Sequence, residues 1–156
     1  MDNQPNTLLP GDAELLDLAI KQAELGLAEG GIPIGAVLAV DGTVLGSGHN
    51  RRIQLGSPIL HGETDALQAA GRQPAGVYRR ATMYTTLSPC DMCTGAILLY
   101  GIPRVIIGEN KTFMGAEDLL RSRNVSVAVA NDARCISLME SFIADRPELW
   151  NEDIGE

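Results

Sequence analysis

The sequence predicts an α/β fold: a three-layer α/β/α sandwich on a mixed sheet of about five strands. Three observations carry that expectation. A long helical run opens the chain, Asp41-Gly42 then marks a hairpin, and from residue 61 onward helical and strand-like runs alternate. Strands joined through crossing helices run parallel, whereas a hairpin pairs its strands antiparallel, so the sheet is mixed.

The elements follow in order. Residues 2–11 are polar, with Pro5, Pro10 and Gly11, and residues 1–11 read as a flexible start. Asp12 suits the N-cap of a helix reaching about residue 29. Leu15, Leu18, Ala19, Leu25 and Ala28 recur at helical spacing, and Gly30-Gly31 stops the run. Residues 34–40 form a strand, Asp41-Gly42 a tight turn, and residues 43–48 its partner. Residues 49–60, with Gly56 and Pro58, read as a loop. A helix over 61–70 ends at Gly71. A strand over 82–87 leads through Ser88-Pro89 to a helix over 90–100. After Pro103 come a strand (104–108), a helix (116–123), a strand (125–129) and a helix (132–145). The tail, 146–156, holds the chain's single tryptophan. Trp150 and Ile154 there are expected to dock on the body as a C-terminal lid.

The chain has 156 residues, a size that fits a single domain, 1–156. A domain of roughly this length buries about 68–70% of its unfolded surface, enough for a core without disulfides. Twenty acids against twelve bases give a net charge of −8, which leaves no cationic surplus for a phosphate backbone and disfavours a nucleic-acid partner. Three cysteines are too few and odd for a disulfide framework and suit a reducing, cytoplasmic setting. The first residues lack the basic and apolar regions of a signal peptide. The apolar stretches 34–40 and 96–100 are far short of the ~20 residues that span a bilayer, so no membrane partner is expected.

Two short motifs carry chemistry. His61-Gly62-Glu63 opens one helix and Pro89-Cys90-Asp91-Met92-Cys93 opens another. Residues three apart share a helix face, so Cys90 and Cys93 can aim both sulfurs at one point. A helix N-terminus favours thiolate over thiol. With one nitrogen of His61 the set is three ligands, which suits zinc and leaves a fourth position for water. Glu63 lies about 200° around the helix from His61. It is poorly placed as a fourth ligand but can reach the open side as a proton carrier. A Cys-x-x-Cys alone also fits a redox pair or half of a structural zinc site. A closed site needs a fourth ligand from His49 or Cys135, and neither a redox nor a structural site has a use for Glu63. Cys135, beside Ile136 and Met139 in a helix, reads as a small buried hydrophobe. His49 reads as a hydrogen-bonded loop residue.

The H-x-E and P-C-x-x-C pair is the signature of zinc nucleobase deaminases. The sequence resembles the cytidine-deaminase-like superfamily and, within it, the fungal cytosine deaminases. The pieces that carry the resemblance are EGGIPIG at 29–35, the Gly46-x-Gly48-His49-Asn50 segment, LHGE at 60–63, YTTLSPCDMCTGAI at 84–97, YGIPR at 100–104, GEN at 108–110, and the tail from Arg146-Pro147 to Glu156. The resemblance implies one Zn²⁺ per subunit on His61, Cys90 and Cys93, and hydrolysis of free cytosine to uracil and ammonia through zinc-activated water attacking C4. It implies Glu63 as the proton shuttle and the backbone N–H of Cys90 as the donor to the developing oxygen charge. Asn50 and Asp153 would bind the polar edge of the pyrimidine, and Ser88 would contribute backbone contacts. Phe113, Trp150 and Ile154 would wall the pocket, and the protein would be a homodimer acting on a small nucleobase. Other members of the superfamily act on guanine, nucleosides or tRNA adenosine. Gly62 and the Asp153-Ile154-Gly155-Glu156 ending favour the cytosine type. Thr64-Asp65-Ala66 and Met114-Gly115 depart from the fungal pattern. Beyond Glu63 and Asp153, the acids are expected on solvated surface.

Overall fold

The computed structural model describes residues 6–156. Five strands pair in the order β2-β1-β3-β4-β5. They are β1 (Gly35–Val40), β2 (Thr43–His49), β3 (Ala81–Leu87), β4 (Arg104–Glu109) and β5 (Ser126–Val129). β1 runs antiparallel to β2 and to β3, and β3, β4 and β5 are parallel, so the sheet is mixed as expected. Asp41 (φ 50°) and Gly42 (φ 78°) make the hairpin turn, and a bulge between Leu38 and Ala39 bends the pair.

Eight helices are described: α1 (Asp12–Ala28), α2 (Arg52–Leu55), α3 (Gly62–Ala70), α4 (Ala75–Tyr78), α5 (Asp91–Tyr100), α6 (Glu117–Ser122), α7 (Ala133–Asp145) and α8 (Pro147–Asp153). The period-two alternation of the strands sorts side chains onto two faces. Ala36, Leu38, Met83, Val105, Ile107 and Val127 meet Ala66 of α3, Ile97 of α5 and Leu120 of α6 on one face. Val37, Ala39, Tyr84, Ile106 and Ala128 meet Leu16, Ala19 and Ile20 of α1 and Cys135 of α7 on the other. The sheet is therefore sandwiched between two helical layers. α3 lies close on β2 because Gly48 has no side chain. A Cβ there would stand 2.7 Å from the Ala66 nitrogen and 2.5 Å from Asp65 Oδ2.

Several elements differ from expectation. The N-cap of α1 is Gly11 (φ 90°), and Asp12 is the first helical residue. Its carboxylate is drawn inward instead, accepting from Tyr84 O–H and Arg104 Nη1 at 2.8 Å each and from Leu9 N–H at 2.6 Å. The loop at 49–60 contains α2, the stretch after Gly71 contains α4, and the tail forms α8 with Pro147 in its first turn. Of the start expected to be flexible, residues 1–5 lie outside the described residues. Asn6 Oδ1 accepts from Val127 N–H, and the Thr7 carbonyl accepts from Arg104 Nη2, both at 3.2 Å. The acids expected on the surface include buried ones, since Asp12, Asp65, Glu109 and Glu117 are all inside. Each is buried because it receives several N–H or O–H donors, as a buried carboxylate must. Among the described residues, no helix is long and apolar enough to cross a membrane.

Candidate active site

The putting together of the site begins at two helix starts. His61, in extended conformation, caps α3, and its N–H is taken by Thr64 Oγ1 at 2.9 Å. Cys90 caps α5 the same way after β3 delivers the chain through Ser88-Pro89. Cys93 follows one turn later and is fully buried, while Cys90 is half-buried. The donor atoms of His61, Cys90 and Cys93 all lie within 4.8 Å of one another, and Cys90 Sγ is 3.4 Å from His61 Nδ1. Two sulfurs and an imidazole nitrogen on rigid helix ends fit a zinc ion, and among the described residues no fourth protein donor joins the cluster. A hydrogen bond from Cys93 and the nearby His61 hold the Cys90 thiol far below its usual range against the opposing effect of burial. Sharing that proton with Cys90, together with burial, pushes Cys93 up. Burial works to lower His61, but Asp153 and Cys90 outweigh it and raise the imidazole.

Glu63, one residue into α3, is buried beside this cluster. Burial and then the charge of Cys90 push its carboxyl up from the ordinary carboxylate range. Asp153, at the last turn of α8, closes the opposite side. Its Oδ2 accepts from Asn50 Nδ2 at 3.1 Å. Its Oδ1 stands 3.2 Å from His61 Nε2 as an ion-pair contact, yet is buried without an aligned hydrogen-bond donor among the described residues.

His61, Glu63, Ser88, Cys90 and Asp153 line one small cavity of about 20 Å³, with Ile34, Leu87, Phe113, Trp150 and Ile154 as its apolar walls. Phe113 and Trp150 meet edge to face, with centroids 5.6 Å apart. An open cleft of about 450 Å³, bordered by Pro58 and Met92, lies outside and shares His61, Cys90 and Asp153 with the cavity. A wider groove between α1 and α7, about 510 Å³, has no cysteine or histidine in its lining.

Of the residues singled out in the sequence, His61, Glu63, Ser88, Cys90, Phe113, Trp150, Asp153 and Ile154 line this cavity, Cys93 completes the metal cluster, and Asn50 joins through its bond to Asp153; for Ser88 the expectation concerns the backbone and not the hydroxyl. That hydroxyl is engaged behind the pocket, donating to Glu117 Oε2 at 2.6 Å and accepting from Gly115 N–H at 2.9 Å. Sequence reasoning missed the groups that hold the 110–116 loop. The buried Glu109 carboxylate accepts from the N–H groups of Lys111 (2.7 Å) and Thr112 (3.0 Å) and from the Thr112 hydroxyl. Asn110 Nδ2 donates to Glu117 at 3.3 Å. A strand-end Glu and a first-turn Glu look like ordinary surface acids, so no signal marked them. His49 ends β2 rather than lying in a loop, and its ring is bonded to Gln22 (2.8 Å) and Glu29 (2.7 Å). That leaves it no role as a ligand.

The family model for the cytidine and deoxycytidylate deaminase zinc-binding region matches residues 10–109, which include every residue of the metal cluster. The chain belongs to this deaminase family. A deaminase relative, the cytosine deaminase of Candida albicans, is 56% identical over 146 residues, spanning 93% of this chain and 97% of its own. The tRNA-specific adenosine deaminase of Streptococcus pyogenes serotype M18 is 38% identical over 135 residues, covering 80% of this chain and 84% of its own. The guanine deaminase structure from Nitrosomonas europaea superposes with a TM-score of 0.69 over 92% of this chain and 90% of its own. At 20% identity it speaks for the deaminase fold alone.

Proposed function

We propose that this deaminase hydrolyses free cytosine to uracil and ammonia. The observation that carries the proposal is Asp153, bonded to Asn50, lining the same small cavity as His61, Cys90 and Glu63, with Cys93 completing the metal cluster. The 56% identity to a cytosine deaminase supports the same substrate. His61, Cys90 and Cys93 would hold one zinc ion per subunit, which when bound acidifies a coordinated water and supplies the nucleophile.

The chain's own residues do the rest. Glu63 takes up one proton on its carboxylate and delivers it to ring nitrogen N3, then takes up a second and delivers it to the departing amine, so the two protons of the water consumed end on N3 and in the ammonia, a task that suits its raised affinity for a proton. Asp153 Oδ1 is an acceptor awaiting a donor inside the cavity, and an exocyclic amine or ring N–H supplies one. Asn50 binds beside it on the polar edge of the base. The Cys90 N–H, at the head of α5, donates to the oxygen on which charge develops. Ser88 contributes through its backbone. Phe113, Trp150 and Ile154 exclude water and hold the flat ring.

Residues 1–156 act as one catalytic domain, with 146–156 as the lid. A cavity of about 20 Å³ has room for about one water, so the lid or the Phe113 loop opens to admit a base. The enzyme works as a cytoplasmic homodimer. The support for dimerisation is the apolar face of Leu99 and Tyr100 on α5, which are 76% and 42% exposed. An excess of eight negative charges weighs against tRNA as the substrate. The test follows absorbance changes of cytosine, cytidine, guanine and adenosine with zinc-loaded protein. Turnover of cytosine is expected. Turnover of cytidine or guanine without cytosine overturns the proposal.

A further inference from the structure

Arg52 stands outside every group assigned above, yet it touches both residues that would read the base. It opens α2, and its N–H donates to Asn50 Oδ1 at 3.0 Å. That bond turns the Asn50 amide so that Nδ2 meets Asp153 Oδ2. Its guanidinium crosses to α8, where Nη2 is 3.3 Å from Glu152 Oε1 and Nη1 is 3.9 Å from Asp153 Oδ1. The Arg52 side chain is 19% exposed and that of Asp153 is 2% exposed, so the inner contact is shielded from solvent.

α8 needs such a contact. A helix of seven residues does not hold itself together in water, so its position depends on what it touches. Trp150 packs with Met139, Phe142 and Leu149, which anchors the middle of α8 to α7. At the C-terminal end, Glu152 and Asp153 add two carboxylates to the negative end of the helix dipole, where a cation is stabilising. A guanidinium is charged at every working pH and its planar fork can face two carboxylates at once, which a lysine ammonium cannot do as well.

We propose that Arg52 is a positioning residue that latches α8 over the cavity and holds Asp153 opposite Asn50. The inference rests on the assignment of Asn50 and Asp153 as the pair that binds the base. Arg52 touches no reacting atom. It acts through the two side chains that bind the base, with its main chain on one and its guanidinium on the other.

The test uses the zinc-loaded full chain and the Arg52→Gln and Arg52→Lys variants. Trp150 is the only tryptophan, so acrylamide quenching of its fluorescence reports on α8 without any substrate. Arg52→Gln is expected to expose Trp150 to quencher and to raise the KM for cytosine about tenfold, the effect of one lost polar contact, with zinc content unchanged. Arg52→Lys is expected to restore part of the shielding, and it carries the same measurement if Arg52→Gln does not fold. Wild-type quenching in the variants overturns the latch. Raised quenching with an unchanged KM overturns its link to base binding. If wild-type protein fails to turn over cytosine while Arg52→Gln still frees Trp150, the substrate assignment falls and the latch stands.

Discussion

Gly115→Ala is expected to damage the site from behind, and the structure gives the size of the effect. The loop carrying Phe113 is stitched to the segment just before Cys90. Gly115 N–H donates to Ser88 Oγ at 2.9 Å, and Ala116 N–H donates to the Pro89 carbonyl at 3.1 Å. A Cβ on Gly115 would stand 2.5 Å from the Pro89 carbonyl carbon, and closer still to its oxygen. That is about 1 Å short of the ~3.5 Å at which carbon atoms meet comfortably. The neighbouring atoms are backbone, so no side chain can swing aside. Either the loop retreats and loses its bond to Pro89, or Pro89 and Cys90 move. Overpacking together with a lost backbone hydrogen bond costs about 2–4 kcal/mol. For a chain of this size that lowers Tm by roughly 4–16 °C. A displacement of about 1 Å at positioned groups can cost on the order of a hundredfold in rate. Scanning calorimetry and cytosine turnover, with Met114→Ala as the control at an exposed neighbour, measure both. Wild-type Tm and turnover in Gly115→Ala would refute the close packing of the loop on Pro89.

Three further outcomes follow from the same geometry. Glu63→Gln should retain zinc by metal analysis and lose roughly 10²–10⁴ in kcat, the range for a positioned proton carrier, and a wild-type rate would remove Glu63 from that role. Truncation after Pro147 should abolish cytosine turnover while leaving metal content intact, because it deletes Trp150, Asp153 and Ile154 together; unchanged turnover would contradict all three roles. Burial works to raise Asp12, but hydrogen bonds from Arg104, Leu9 N–H and Tyr84 hold its carboxyl below the ordinary range. Its contribution to stability is therefore complete above the unfolded value of about 3.9 and is lost as pH falls through the lower folded value. Urea titrations should show Asp12→Asn weaker than wild type by about 3–5 kcal/mol near neutrality, with the gap closing below pH ~4; a gap independent of pH would show that the ion pair is not its source.

What could be read from the sequence depended on range. The metal cluster was legible because each half is local: a helix start places His61 near Glu63, and a three-residue step places Cys90 near Cys93. The mixed sheet followed from the hairpin and the later alternation of strands and helices, whereas the strand order came only with the structure. Asp12 and Arg104 were opaque because they are 92 positions apart, and a residue that looks like an N-cap lost that task to a distant guanidinium. α2 and α4 have four residues each and α8 has seven, too few for a periodic pattern to rise above its neighbours.

The acid excess changes meaning on the same grounds. A net charge of −8 suggests a solvated shell, yet Asp12, Glu63, Asp65, Glu109, Glu117 and Asp153 are all buried. Asp65 receives His49 N–H at 3.0 Å and Arg51 Nε at 2.9 Å, on either side of Asn50. Glu109 and Glu117 fix the loop of Phe113 from below. The departures from the fungal pattern at Asp65 and Gly115 thus fall on the supports of the site rather than on its reacting groups. Variation there changes how firmly Asn50 and Phe113 are held, while the zinc donors and Glu63 keep their places on the ends of α3 and α5.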